Sequence, residues 1–99
     1  MTDERRKYER RDFRKQISLE FVSGKRQVSI ADMGMEGCYV DSIIEVREGE
    51  LVAFELATDR SAKRFVGKVA YVLPGMGFGI QFLDLTEERQ RFLAVFMNS

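Results

Sequence analysis

From Gln16 onward the chain alternates apolar and polar positions. Ile17, Leu19 and Phe21 share one face and Gln16, Ser18 and Glu20 the other, which is the period of a half-buried strand. Ser23-Gly24-Lys25 then predicts a tight turn, because glycine accepts the positive φ of short hairpin loops. A second strand follows with Val28 and Ile30 inward. Asp32-Met33-Gly34-Met35-Glu36-Gly37 interrupts the alternation and reads as a loop leading to a short strand, Cys38 to Val40. After a turn at Arg47-Glu48-Gly49-Glu50, Val52, Phe54 and Leu56 define the strand Leu51 to Ala57, and Thr58 to Ala62 is the next loop.

The longest strand pattern covers Lys63 to Leu73. It sets Val69, Tyr71 and Leu73 on one side against Val66, Lys68, Ala70 and Val72 on the other, and Pro74-Gly75 ends it. Phe78, Ile80 and Phe82 carry a last strand whose opposite face holds Gly77 and Gly79, a sign of a bend or a close approach. The period then changes. Thr86 caps a helix with Glu87 and Glu88 in its first turn, and Phe92, Leu93 and Phe96 form its apolar stripe. Six short strands closed by one helix predict a mainly β fold, a small six-stranded antiparallel barrel with a C-terminal helix.

At 99 residues there is room for one domain, and 44% hydrophobic residues supply a core. Histidine is absent, which removes the usual general base and the commonest metal ligand. The lone Cys38 has no disulfide partner in the chain and no histidine to activate it. These features argue against an enzyme and against a metal site, and they fit a reducing, cytoplasmic setting. No apolar run reaches the length of a membrane span, and the charged N-terminus does not read as a secretory signal. Net charge is zero, yet residues 1 to 15 hold seven of the sixteen basic side chains and four of the sixteen acidic ones. A basic arm, residues 1–14, is therefore expected ahead of a mildly acidic barrel, residues 15–99.

Three features bear on chemistry. In Arg10-Arg11-Asp12-Phe13-Arg14-Lys15, guanidinium forks match phosphate oxygens and the acceptor edge of guanine, although such a cluster alone reads first as a solvated terminus. Asp32 is an acceptor-only carboxylate beside a double-glycine loop. It is suited to a guanine donor edge, although read alone it is first a residue that caps its own turn. Gly77 and Gly79 form the third feature.

Together these stretches resemble the PilZ domains, small β-barrel receptors for the bacterial second messenger cyclic di-GMP. Arg10-Arg11-Asp12-Phe13-Arg14 resembles the family's RxxxR motif, and Asp32-Met33-Gly34-Met35-Glu36-Gly37 its (D/N)xSxxG motif. Gly67 to Tyr71 and Gly77 to Phe82 resemble its later strand pair. Arg6 and Arg10 have the same spacing, but Arg10 with Arg14 leads directly into the inward positions Ile17, Leu19 and Phe21.

The resemblance implies cyclic di-GMP as ligand. Arg10 and Arg14, with Arg11 beside them, would sit on phosphates and guanine acceptors, Asp32 on a guanine donor edge, and Gly34 and Gly37 would allow close backbone approach. It implies no further cofactor and no metal. It also implies a protein partner in motility, pilus or biofilm machinery. Nucleic acid is disfavoured by the residues themselves, because Tyr8 and Phe13 are the only aromatics near the arm, and no membrane insertion is expected for want of a long apolar run. Gly34 stands where the family motif has serine. A lost neutral hydrogen bond is worth about 0.5 to 1.5 kcal/mol, so weakened binding is expected, with a ligand-free adaptor as the alternative. Glu9 precedes the first motif arginine, and an acid there favours one nucleotide per domain over a stacked pair.

Overall fold

The computed structural model describes residues 11–98, and residues 11–13 by their backbone alone. Within them the chain forms β1 (Arg11–Phe21), β2 (Gly24–Met33), β3 (Gly37–Asp41), β4 (Leu51–Ala57), β5 (Ala62–Leu73), β6 (Gly77–Leu83) and α1 (Glu87–Met97). The strands close a barrel in the order β1-β2-β3-β6-β5-β4, all neighbours antiparallel. Closure gives every strand a neighbour on both sides among the described residues, which blunts recruitment of another chain. The seam is at β1 and β4, paired at Glu20 and Ala53, and the Arg64 guanidinium on β5 reaches across it to fork onto the Glu20 carboxylate at 2.9 and 3.1 Å.

Alternation explains the interior. Ile17, Leu19, Val28, Ile30, Val40, Val52, Phe54, Leu56, Phe78, Ile80 and Phe82 are all buried, and no polar or charged residue is buried among the described residues. Burial of a Leu, Ile, Val or Phe side chain contributes roughly 1.5 to 3 kcal/mol. Phe54, Phe65 and Phe82 meet with ring centroids 5.8 to 5.9 Å apart, and Phe92 of α1 extends the cluster to Phe96. The helix caps as its sequence predicts, with the Thr86 hydroxyl accepting from the Arg89 amide at 3.2 Å. Leu93 and Phe96 are buried beneath it. Cys38 is also buried in the core.

The strand ends and one face differ from strict alternation. β1 starts at Arg11, so Arg11 to Arg14 are strand residues rather than part of an arm. β2 continues through Asp32 to Met33 and β3 begins at Gly37, which reduces the expected loop to a closed turn in which the Gly34 amide donates to the Gly37 carbonyl at 2.9 Å. On β5 the register steps between Val69, opposite Ile80, and Tyr71, opposite Gly79, so Ala70 is an extra residue. That bulge reverses the faces beyond it. Tyr71 and Leu73 are exposed rather than sharing the buried side of Val69, and Val72 packs against the core.

Candidate functional site

Two further bulges shape the outer face of β1, β2 and β3. Between Ile30, opposite Val40, and Asp32, opposite Tyr39, β2 advances two residues for one on β3. At the same level β1 spends Phe13 and Arg14 against the single Ala31, between the pairs Asp12 with Asp32 and Lys15 with Ile30. Without the β2 bulge, a strand carrying Ile30 inward would turn Asp32 inward as well. With it, Ile30 and Met33 are both fully buried while the intervening Ala31 and Asp32 stay on the outer side, half-buried. A bulge thus keeps on the outer side a carboxylate that alternation would have turned into the core, with its Oδ1 oxygen still buried, and bulges commonly re-aim side chains in this way.

The β1 bulge separates two neighbouring cations. Arg14 crosses the outer face to β3, where Nη1 lies 3.2 Å from Asp41 Oδ2. Lys15 turns to the barrel end, its Nζ 5.6 Å from the ring centre of Phe96 on α1. An open hollow of about 790 Å³ lies beside it, bordered by Arg14, Lys15, Asp59, Arg60, Val95 and Phe96. Of the other expected ligand residues, Arg10 lies outside the described residues. Arg11 is a strand residue opposite Met33, and its side chain is likewise outside them.

The two turn glycines have separate reasons. A Cβ on Gly37 would stand 2.2 Å from the Ile80 carbonyl oxygen. Glycine there lets β3 and β6 meet. Gly34 is buried, and positive φ occurs at Gly24, Gly49 and Gly75 but not at Gly34.

Next to Asp32 the surface is aromatic. Gly79 is the cross-strand neighbour of both Tyr39 and Tyr71, whose rings stack with centroids 6.5 Å apart and planes 22° from parallel. A Cβ on Gly77 would stand 2.2 Å from the Val40 carbonyl oxygen and 2.5 Å from the Tyr39 hydroxyl, and one on Gly79 2.3 Å from Tyr71 Cε2. Gly77 therefore makes room for the β3 backbone as well as the Tyr39 ring, and Gly79 for the Tyr71 ring. Partial burial raises the Tyr39 hydroxyl above its ordinary pKa, and the Asp41 carboxylate, Tyr71 and the Asp32 carboxylate raise it further. It stays a neutral donor among acceptors. Tyr39, Asp41 and Tyr71 were not singled out from the sequence. The outward parity of Tyr39 and Asp41 around the buried Cys38 and Val40 was a usable signal, whereas Tyr71 depends on the β5 bulge.

The face thus presents a guanidinium, two carboxylates and a pair of phenols. These are groups that bind a polar anion with donor and acceptor edges. Among the described residues no cluster of three potential metal ligands occurs, and no helix is long and apolar enough to cross a membrane.

Comparison with known proteins agrees with this architecture. The PilZ domain family model matches residues 4–98. Among solved structures the chain is similar to the PilZ domain of CeSA from a cellulose-synthesizing bacterium, with a TM-score of 0.66 at 14% identity, covering 91% of this chain and 96% of that one. At that identity the likeness establishes the fold alone. No curated protein matches the chain.

Proposed function

The chain belongs to the PilZ domain family, and from that premise we propose that it is a non-enzymatic cyclic di-GMP receptor that relays the second-messenger level to a partner protein. The observation that supports this most is geometric. Arg14 and Asp32, distant in sequence, stand on neighbouring strands of one outer face, one offering a phosphate fork and the other an acceptor for guanine N–H groups. Arg10 and Arg11 precede Arg14 in the RxxxR stretch and complete the proposed phosphate contacts. Gly34 and Gly37 close the β2–β3 turn beside Asp32. The proposed setting is the cytoplasm, with no cofactor beyond the nucleotide. The proposed output is contact with a protein of motility, pilus or biofilm machinery, an analogy drawn from the family.

A second reading, a PilZ adaptor that ignores the nucleotide, is favoured by Gly34 in the motif's serine place and by the engagement of Arg14 with Asp41. Calorimetric titration with cyclic di-GMP separates the two, with GTP and a short single-stranded oligonucleotide as controls. Saturable binding of cyclic di-GMP alone is expected. Arg14→Ala should weaken it by about tenfold or more, the value of a charge-assisted contact. Arg47→Ala, in the β3–β4 connection, should leave it unchanged. Equal affinity for wild type and Arg14→Ala would remove Arg14 from the site, and a folded wild type that gives no binding heat would establish the adaptor.

A further inference from the structure

In the receptor reading, the phosphate of the ligand needs the guanidinium that Asp41 already holds. We propose that Asp41 is a built-in competitor for Arg14: its carboxylate occupies the guanidinium in the free protein and yields it to the nucleotide phosphate. The inference rests on the receptor reading and sets the concentration at which the site fills.

The geometry suits an exchangeable contact rather than a structural one. Arg14 touches Asp41 through one nitrogen at 3.2 Å, and the two side chains are 71% and 51% exposed. The pair is in water and screened, where ion pairs are worth little. The Arg64–Glu20 pair differs, being forked through two nitrogens and bridging the barrel seam. Asp41 also stands at the right place to interfere. It ends β3 opposite Ser29, two residues from Tyr39, the cross-strand partner of Asp32. Tyr39 feels the negative charge of both carboxylates, so Asp41 lies electrostatically within the face a dianionic ligand would cover.

When phosphate replaces carboxylate on Arg14, one anion substitutes for another and the guanidinium keeps a partner. Asp41 is then left ionised beside the phosphate, and like charges repel. Both effects weaken binding relative to a neutral residue at position 41. The arrangement raises the nucleotide level needed for occupancy while leaving the phosphate fork intact.

The test is calorimetric titration of cyclic di-GMP into wild type, Asp41→Asn, Glu55→Gln, Arg14→Ala and the double variant Arg14→Ala/Asp41→Asn. Asp41→Asn should bind roughly two- to fivefold tighter, the range of an exposed ion pair. Glu55 is an exposed carboxylate on β4, across the barrel from β3, and its neutralisation should change nothing. In the Arg14→Ala background the gain from Asp41→Asn should shrink to the part due to charge repulsion alone, as expected if the two residues act largely through each other.

Unchanged or weaker binding by Asp41→Asn, with Arg14→Ala still defective, overturns the competitor and leaves the receptor reading standing. An equal gain with and without Arg14 also overturns it, since Asp41 would then act on the ligand directly. Absence of binding by both wild type and Asp41→Asn sinks the receptor reading and the competitor with it.

Discussion

The phenylalanine-packed interior and the bulged outer face of β1, β2 and β3 are built by opposite means. Inside, Phe54, Phe65 and Phe82 meet one another at 5.8 to 5.9 Å with no buried polar partner, and strict alternation puts them there. On the outer face, extra residues at Ala31 and beside Arg14 break the alternation, and the groups kept on the outer side are Asp32 and Arg14. The first region holds the fold, and the second is the one to which the proposed receptor reading assigns recognition. Substitutions should therefore separate into those that melt the protein and those that change only what it binds.

The sharpest separation is expected in the core. Phe65 is fully buried and touches Phe54, Phe82 and Phe92. Phe65→Ala should cost about 3 to 5 kcal/mol, combining lost burial with a cavity. Denaturant unfolding measures it. A change below about 1 kcal/mol, within the range of ordinary surface substitutions, would break the contrast at its strongest point.

Gly37 is the next test, because it belongs to both regions. It lies in the motif resemblance, yet the space a side chain would need is filled by the Ile80 carbonyl. Backbone cannot step aside as a flexible side chain can, so Gly37→Ala should destabilise by about 1 to 3 kcal/mol, the usual cost of overpacking. A Cβ on Gly79 meets the Tyr71 side chain first, and that ring is partly exposed and able to give way, so Gly79→Ala should cost less. If Gly37→Ala melts like wild type but loses nucleotide binding, the residue belongs to the recognition face alone.

These two regions also differ in how legible they were. Inward positions on β1, β4 and β6 followed period two because each faces one apolar interior, and the helix was marked by the Thr86 cap and its acidic first turn. The motif resemblance drew attention to Arg14 and Asp32, but alternation did not say that both face outward. A bulge leaves no compositional signature when the extra residue is alanine, as at Ala31 and Ala70. For the same reason Tyr71, Leu73 and Val72 were read on reversed faces. Asp41 carries no local motif at all, and its contact with Arg14 is a product of strand register across 27 residues of sequence. Gly77 and Gly79 could be read as a bend because nothing in the chain states which aromatic ring will lie over them.

Within the recognition face, Gly34→Ser is expected to act on binding more than on folding. Gly34 lacks a positive φ, so serine meets no left-handed strain, and it removes freedom from the unfolded chain. One restored hydroxyl should tighten cyclic di-GMP binding by roughly two- to twelvefold, the value of an ordinary hydrogen bond. Paired titration and thermal melting test both halves. A variant that melts well below wild type would show that the buried turn between Gly34 and Gly37 has no room for the side chain, placing Gly34 with Gly37 among the packing glycines.

The smallest effect concerns exposed charge pairs that hold the barrel rather than the ligand. Hydrogen bonding to Arg64 lowers the Glu20 carboxyl below its ordinary 4.5, and hydrogen bonding to Lys63 does the same for Glu88 on α1. A carboxyl whose folded pKa is depressed binds fewer protons in the folded state than in the unfolded one. Its contribution to stability is therefore complete above about pH 4.5 and is lost as pH falls through the lowered folded value. The melting temperature should thus hold level from neutral pH to about 5 and decline below it. Part of that decline belongs to the Glu20 fork across the β1–β4 seam and part to the tie between β5 and α1. Glu20→Gln should lower the melting temperature slightly at pH 7 and flatten the acid limb. Asp41→Asn should leave the melting temperature at pH 7 unchanged, because the exposed Arg14–Asp41 contact is a single bond outside the β1–β4 seam. A melting temperature that falls for Asp41→Asn and holds for Glu20→Gln would reverse the assignment, making the Arg14–Asp41 contact part of the scaffold.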